Sequence, residues 1–255
     1  MDKKYMNQSI LRALEIMEQF STEDPSLGLK DVSERVGLHK STAHRLLTTL
    51  ESRGWLIREP EDGRYRPGIR LLTIAQLVDE SITSVRTVRP ILKHLAETVS
   101  ELTVLSMWDG EDVICVDKVD DSRRSLRVTS AIGRVHPLHA GATGFAVLLA
   151  MPEDEARKIL QNRERKAYTE KTETDLERLM DAYRRLRKQG YVISTGQVDR
   201  EVTAIAVPLW FPYEKTCGSI GVTIPESQTT DSLVAKILSS LQEAARQIQD
   251  SLGSR

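Results

Sequence analysis

The sequence predicts an α+β protein with a small N-terminal domain, a linker helix and a larger mixed domain. Between residues 28 and 55, two short helical stretches meet at a glycine, and a basic hairpin follows them. An apolar helix covers 69–80, and from residue 85 onward short strands alternate with helices. We therefore expect a winged helix-turn-helix at 1–68, a linker helix at 69–84 and an α+β domain at 85–255.

Two helices joined by a tight turn are predicted between residues 29 and 52. The apolar residues that recur at helical spacing, and so mark the buried face of the first helix, are Leu29, Val32 and Val36. Gly37 then ends this helix, because glycine tolerates the positive φ of such a stop. We expect Ser41 or Thr42 to cap the second helix through its hydroxyl group.

The second helix has an aliphatic side and a polar side. At roughly 100° per residue, the aliphatic side carries Ala43, Leu46, Leu47 and Leu50. The polar side supplies the predicted DNA contacts, which are Lys40, Ser41, Thr42, His44, Arg45 and Thr48. Hydroxyl, imidazole and guanidinium groups are able to pair with bases or phosphates. The alternative is an ordinary helical hairpin with a solvated face, although such faces usually carry more Glu and Lys.

A basic hairpin follows and completes the predicted winged helix. Residues 55–58 and 64–66 form two expected strands around an Asp-Gly turn, which favours a hairpin. The wing residues expected near the phosphate backbone are Arg58, Arg64 and Arg66. Residues 28–70 hold nine Lys or Arg against six Asp or Glu, whereas the whole chain has a net charge of −1. This local excess indicates binding of double-stranded DNA.

Composition argues against several other classes of protein. The 255 residues contain no apolar run long enough to span a membrane, and the N-terminus has no apolar core for a signal peptide. Cys115 and Cys217 do not make a disulfide framework, so we expect a cytoplasmic protein with no membrane partner. His136 and His139 form an H-x-x-H pair, which we interpret as structural rather than as a metal site. Since no nucleophile stands beside a base in the sequence, we expect neither catalysis nor a cofactor.

The larger domain is predicted to alternate strands and helices. Helices are expected at 85–97, 140–150, 153–160, 174–189 and 232–252, and strands at 103–108, 112–118, 126–131, 191–195, 202–210 and 219–224. The segment from His139 to Gly144 lies at the start of the helix expected at 140–150, and most of its residues are glycine or alanine. Its bare N–H groups favour an anion at the helix N-terminus. The alternative is that the small residues only allow the helix to pack closely on the sheet.

Motifs spread from Ser9 to Leu252 resemble those of the isocitrate-lyase regulator (IclR) family of bacterial transcription factors. The motifs are SILRAL at 9–14, VGLHKST at 36–42, HRLL at 44–47, GRY at 63–65, RPIL at 89–92, PLHA at 137–140, RKQGY at 187–191 and AIAVP at 204–208. The resemblance implies a ligand-responsive repressor with a GAF-like effector-binding domain at 85–255. It also implies that the helix at 69–80 packs on a second subunit, and a homodimer or tetramer suits a protein that binds two half-sites.

The resemblance further implies where a small organic or aromatic acid binds. The residues implied to bind this effector are Ala142, Thr143, Gly144, Ser194, Ala204, Gly221 and Thr223. Two departures from the family bear on the pocket, because Phe145 stands where many relatives have Lys and Glu201 stands where many have Gly. With small, uncharged residues lining it, we expect a roomier and less polar pocket that admits an aromatic or longer acid.

A function of another class fits the same residues. The mixed domain would be a small-molecule-binding or enzymatic domain, and the winged helix would serve protein contacts only. Operator binding that responds to a metabolite distinguishes a regulator from this alternative.

Overall fold

A computed structural model of the chain describes residues 6–21, 24–121 and 130–253. These residues divide into two compact units, the first ending at Ser81 and the second beginning at Ile82. Within the described part of the chain, no helix combines the length and the apolar character needed to cross a membrane.

The first unit contains the winged helix-turn-helix that the sequence predicts, together with the helix that follows it. Its elements are α1 (Gln8–Met17), α2 (Leu29–Arg35), α3 (Lys40–Ser52), β1 (Leu56–Arg58), β2 (Tyr65–Pro67) and α4 (Arg70–Ser81). The strands β1 and β2 form an antiparallel hairpin. Gly37 has φ +65° and ends the turn after α2, as predicted. The buried core of this unit consists of Ile16, Leu27, Val32, Ala43, Leu47, Leu56 and Tyr65.

The cap of α3 differs from the prediction. His39, and neither Ser41 nor Thr42, is the N-cap residue, because its extended backbone (φ −64°, ψ 142°) immediately precedes the first helical turn. Its ring nitrogen Nδ1 lies 3.4 Å from the backbone nitrogen of Ser41 and 2.9 Å from Ser41 Oγ. The expectation rested on the usual preference for hydroxyl caps, and here an imidazole nitrogen takes the same position.

The second unit is a six-stranded antiparallel sheet between two layers of helices. Its elements are α5 (Thr83–Val99), β3 (Leu102–Trp108), β4 (Val113–Asp120), β5 (Val135–His136), α6 (Ala142–Ala150), α7 (Glu153–Gln161), α8 (Leu176–Gln189), β6 (Val192–Thr195), β7 (Val202–Phe211), β8 (Thr216–Pro225) and α9 (Asp231–Gly253). The strand order is β5-β4-β3-β8-β7-β6. One core lies between the sheet and α5 with α9, and the other between the sheet and α6, α7 and α8. The α+β fold class is confirmed.

Two predicted elements differ from the structure. The strand expected at 126–131 lies mostly outside the described residues, and residues 130 and 131 are not in a strand. A two-residue strand, β5, instead forms the edge of the sheet beside β4. The helix expected from residue 140 begins two residues later, at Ala142, since Gly141 has φ +77° and stands as its N-cap.

Candidate DNA-binding surface and effector site

The outer face of α3 carries the predicted DNA-contacting side chains. Lys40, Ser41, Thr42, His44, Arg45 and Thr48 are all exposed. On the opposite side Ala43 and Leu47 are completely buried, so the inner face of α3 is fixed against its own domain. Ser41 Oγ is engaged by the His39 ring at 2.9 Å. Within the described ranges, the charged groups of Lys40 and Arg45 have no protein partner, which leaves them available to a ligand.

Two arginines of the wing lie at its surface. The guanidinium of Arg58 stands 5.8 Å from the centre of the Tyr65 ring. Its Nε donates a hydrogen bond to the carbonyl oxygen of Gly63 at 3.4 Å. Arg66 forms an ion pair with Glu59 across the hairpin. Both arginines are exposed, so these contacts orient the side chains without covering them.

Arg64 differs from the other two because it turns back onto the body of the domain. Its Nε donates to Ser26 Oγ at 3.1 Å, and its Nη1 lies 3.3 Å from Asp31 Oδ2. Arg64 therefore holds the wing against the start of α2. Of the three wing residues expected at phosphates, it is the one least available to DNA.

The predicted effector residues mostly come together where α6 begins. Ser194 of β6, Ala204 of β7 and Thr223 of β8 lie directly opposite one another in the sheet register. They form a row beneath the first turn of α6. Among the described residues no side chain caps this helix, so Ala142 and Thr143, which border the cavity, bring the positive end of the helix dipole to it.

The two glycines in the predicted set serve packing. A Cβ on Gly144 would collide with the carbonyl oxygen of Pro137. A Cβ on Gly221 would lie 3.2 Å from the carbonyl oxygen of Ile205 and 3.5 Å from Thr143 Oγ1. Gly144 still borders the cavity, whereas Gly221 lies outside its lining. For Gly221 the alternative of close helix–sheet packing is therefore the better description.

A cavity of about 60 Å³ lies between the start of α6 and the row of sheet residues. It is lined by six of the predicted residues: Ala142, Thr143, Gly144, Ser194, Ala204 and Thr223. Sequence reasoning missed five polar lining residues, which are Ser130, Arg134, His136, Gln197 and Asp199. They come from β5 with the segment before it and from the loop 196–201, which meet only in the folded chain. The one local signal was the polar loop 196–201, which joins two predicted strands of the wall.

The two charged residues among these five, Arg134 and Asp199, neutralise each other at the cavity. Arg134 Nη2 lies 3.1 Å from Asp199 Oδ2, so this ion pair contributes little net charge. Gln197 Oε1 accepts a hydrogen bond from the Gly141 nitrogen at 3.1 Å and fixes the loop beside the helix start. The remaining N–H groups of α6 therefore provide the attraction for an anion.

His136 is the unusual titratable group of the cavity. Burial is the main cause that lowers its pKa from 6.5 to about 4, and the nearby positive charge of Arg134 lowers it further. The ring is therefore neutral near pH 7. Its Nε2 and the Oγ1 of Thr223 are both buried and, among the described residues, without a hydrogen-bond partner.

Other expectations for this region are corrected by the structure. Phe145 is buried among residues of α6 and α8 and does not line the cavity, and neither does Glu201. The cavity that the described residues form is small rather than roomy, whereas its lining surface is mostly apolar. The two histidines of the H-x-x-H pair diverge, because His139 Nε2 bonds to the Lys166 carbonyl oxygen at 2.9 Å. Among the described residues, no group of His, Cys, Asp and Glu is arranged to hold a metal ion.

Comparison with protein families gives two matches that together cover most of the chain. The description "Bacterial transcriptional regulator IclR C-terminal" matches residues 77–250, and "IclR helix-turn-helix domain" matches residues 9–60. Models of one family thus match both the helix-turn-helix and the domain with the cavity.

Individual relatives agree over nearly the full length. The transcriptional regulator XynR of Escherichia coli is 30% identical, with 96% of this chain and 97% of that protein aligned. The transcriptional repressor IclR of Escherichia coli is 26% identical over 94% of this chain and 88% of its own length. A crystal structure of an IclR homologue from Microbacterium hydrocarbonoxydans, complexed with 4-hydroxybenzoate, has a TM-score of 0.74 at 23% identity. The alignment covers 97% of this chain and 100% of that chain.

Proposed function

Because the chain belongs to the IclR family of bacterial transcriptional regulators, we propose that it controls transcription by binding operator DNA through α3 and the wing. The observation that carries this proposal is the polarity of α3. The helix buries Ala43 and Leu47 while Lys40, His44 and Arg45 remain exposed. A helix of this shape and chemistry fits the major groove, where base edges differ in their donors and acceptors.

We assign the base contacts to α3 and the phosphate contacts to the wing and to the first residue of α3. Arg45 and Thr48, one turn apart on the outward side of α3, are assigned to base edges. The flanking residues assigned to bases or the backbone are Ser41, Thr42 and His44. Lys40, Arg58 and Arg66 are assigned to phosphates, which give affinity without sequence discrimination.

The cavity of the second unit is assigned to a small organic anion. Its carboxylate would accept hydrogen bonds from the free N–H groups of Ala142 and Thr143. Ser194, Ala204 and Thr223 would form the facing wall. The Microbacterium homologue was crystallised with an aromatic carboxylic acid, which supports an acid as the effector class here.

We propose assembly into a homodimer or tetramer, and the surface of α4 supports this proposal. Leu72 and Leu77 are 67% and 58% exposed, so the helix presents large apolar side chains that a second copy would cover. A two-fold symmetric protein would place two α3 helices on two half-sites. We propose repression as the outcome, with the effector favouring one arrangement of the two winged helices and DNA another.

Operator binding by Arg45→Ala tests the DNA surface. If Arg45 pairs with a base, fluorescence anisotropy on the promoter region of the protein's own gene should show a loss of roughly 1–3 kcal/mol. The matched control is Thr49→Ala, since the exposed Thr49 hydroxyl is turned onto the Arg45 carbonyl oxygen at 2.8 Å. Unchanged affinity in a folded Arg45 variant would remove this residue from the surface.

Deleting one amide donor tests the effector site. Ala142→Pro removes the N–H of the first helical residue, where proline is tolerated, and the preceding Gly141 has a compatible ψ of 166°. The effector should then no longer change operator affinity, while ligand-free DNA binding persists. Ala142→Ser keeps the N–H and serves as the control. If an effector acts equally on both variants, the site lies elsewhere.

A further inference from the structure

A contact between His39 and Ser41 at the start of α3 fixes the direction of a hydrogen bond. The Nδ1 atom of His39 accepts from the backbone nitrogen of Ser41 at 3.4 Å and lies 2.9 Å from Ser41 Oγ. A backbone N–H group can only donate, so Nδ1 carries no hydrogen of its own. A histidine ring that accepts at Nδ1 is neutral and carries its hydrogen on Nε2.

The same contact uses the hydrogen of the Ser41 hydroxyl group. Because Nδ1 has no hydrogen, the 2.9 Å contact is a hydrogen bond only if Ser41 Oγ donates it. A serine hydroxyl has one hydrogen and two lone pairs, so only its lone pairs remain for an outside partner. Ser41 is exposed. This side chain therefore meets DNA as a hydrogen-bond acceptor.

An acceptor at this place restricts the DNA groups that Ser41 can bind. Phosphate oxygens also accept, so they offer it no hydrogen bond. In the major groove the N6 amino group of adenine and the N4 amino group of cytosine donate, whereas guanine N7 and O6 and thymine O4 accept. Each base pair thus presents one amino group, on one of its two strands. An acceptor distinguishes adenine or cytosine from guanine or thymine on the strand that it faces.

The place of Ser41 in α3 favours a base over the DNA backbone. Ser41 is the second residue of this helix, which begins at Lys40. Recognition helices of helix-turn-helix proteins bring their N-terminal residues to base edges in the major groove. Ala43, two residues later, is completely buried, so the side of the helix on which Ser41 lies is fixed by the core.

On the basis of the proposed DNA binding by α3, we propose that Ser41 selects adenine or cytosine at one position of the recognised sequence. Its Oγ accepts a hydrogen bond from the amino group of that base. His39 is the positioning residue, because its ring holds the hydroxyl hydrogen and leaves the lone pairs toward DNA. Without the imidazole the hydroxyl can also donate, and guanine or thymine then becomes acceptable at the same position.

Selection from duplex DNA of randomised sequence, with the full-length protein and with Ser41→Ala, tests the base contact. The wild-type motif should contain a position that favours adenine or cytosine and that Ser41→Ala alone relaxes. Inverting that base pair moves its amino group to the other strand. By fluorescence anisotropy, inversion should weaken wild-type binding about 5-fold or more and Ser41→Ala binding by less than about twofold.

Variants of His39 test the positioning role. His39→Ala should reduce the effect of inversion to less than about twofold, whereas His39→Asn should restore it, because Asn also accepts as an N-cap residue. A merely structural role would lower affinity for both duplexes and leave their ratio unchanged. Ser52→Ala is the matched control, since the exposed Ser52 hydroxyl donates to the Thr49 carbonyl oxygen at 2.7 Å. It should keep the wild-type ratio.

The outcomes separate this proposal from the proposed function. Selection of no sequence by the wild-type protein would overturn the proposed operator binding and this proposal with it. A selected motif that Ser41→Ala leaves unchanged, or that favours guanine or thymine at the Ser41-dependent position, would overturn this proposal alone. An inversion effect that persists in His39→Ala would overturn the positioning role. The comparison with Ser41→Ala changes an exposed residue, so it remains decisive if His39→Ala does not fold.

Discussion

Arg64 shows how one side chain positions the wing. Its guanidinium bonds to Ser26 and pairs with Asp31, whereas Arg66 pairs with Glu59 of the same hairpin. We expect Arg64→Ala to lower stability by about 1 kcal/mol, because its partners are partly exposed and solvent screens the pair. Thermal unfolding should detect this loss.

Arg66 provides the contrasting prediction on the wing. Arg66→Ala should leave the unfolding temperature nearly unchanged. It should lower affinity for all DNA sequences alike and make the salt dependence shallower, because a phosphate contact releases counterions. Anisotropy at several salt concentrations measures both effects. A loss of sequence discrimination at an unchanged salt slope would contradict the phosphate assignment.

His136 also makes stability depend on pH. Its pKa is lowered to about 4 in the folded protein, so between that value and about 6.5 the unfolded chain binds the proton more readily. Stability is therefore unaffected by this group above pH 6.5 or so and falls as the pH decreases toward 4, by about 2 kcal/mol at a pH of about 5. His136→Phe should reduce the acid sensitivity by this amount. If the wild-type protein and His136→Phe lose the same unfolding free energy on acidification, groups other than His136 cause the acid sensitivity.

At the scale of elements, the hairpin between β7 and β8 fixes the start of α5. Glu214 Oε1 accepts a hydrogen bond from the Ser84 nitrogen at 3.1 Å, and Oε2 accepts one from Ser84 Oγ at 2.5 Å. Ser84 is completely buried, so its two donors depend on this carboxylate in the folded protein. The negative charge also faces the positive end of the helix dipole.

We expect Glu214→Ala to destabilise the second unit by about 1–3 kcal/mol, since it leaves buried donors unpaired. Glu214→Gln should recover part of the loss because one oxygen still accepts. Thermal unfolding of the full chain, followed by circular dichroism, provides the measurement. Glu201→Ala, at an exposed loop residue, is the control. A Glu214→Ala protein as stable as the control would rule out this role.

Elements with a strong local period were predictable from the sequence. The stripe at Ala43 and Leu47 predicted α3, because burial on one face imposes that spacing, and the Asp109-Gly110 turn signal indicated the strands β3 and β4 on either side of it. The two-residue strand β5 has no such period. It exists because β4 provides an edge beside it, and sequence patterns do not report such a partner.

The residues of the candidate site were predictable from the sequence only where they belong to a family motif or to the start of a helix. Ala142 and Thr143 border the cavity as expected. His136 and Asp199 were missed because they lie 63 positions apart in sequence and meet only after folding. Phe145 was expected to bear on the pocket, yet it turns into the core, since a large apolar side chain in this helix gains more by burial.

At the scale of the whole molecule, apolar surface on the first unit predicts assembly. Beyond Leu72 and Leu77, the exposed large apolar residues in the described part of this unit are Ile10, Leu14, Ile69, Ile74 and Val78. All but two of these seven lie on or beside α4. Single exposed apolar residues are ordinary, but a contiguous set on one helix is typical of an interface.

Leu72→Glu and Leu77→Glu therefore should disrupt the oligomer. Each substitution would place a carboxylate in the contact, and burying an unpaired charge is too unfavourable for the interface to tolerate. Sedimentation velocity should show smaller species, and operator affinity should fall because two linked winged helices bind far better than one. Leu72→Met and Leu77→Met keep apolar volume at the same positions and should preserve the assembly. An unchanged oligomer in both Glu variants would show that α4 does not form the interface.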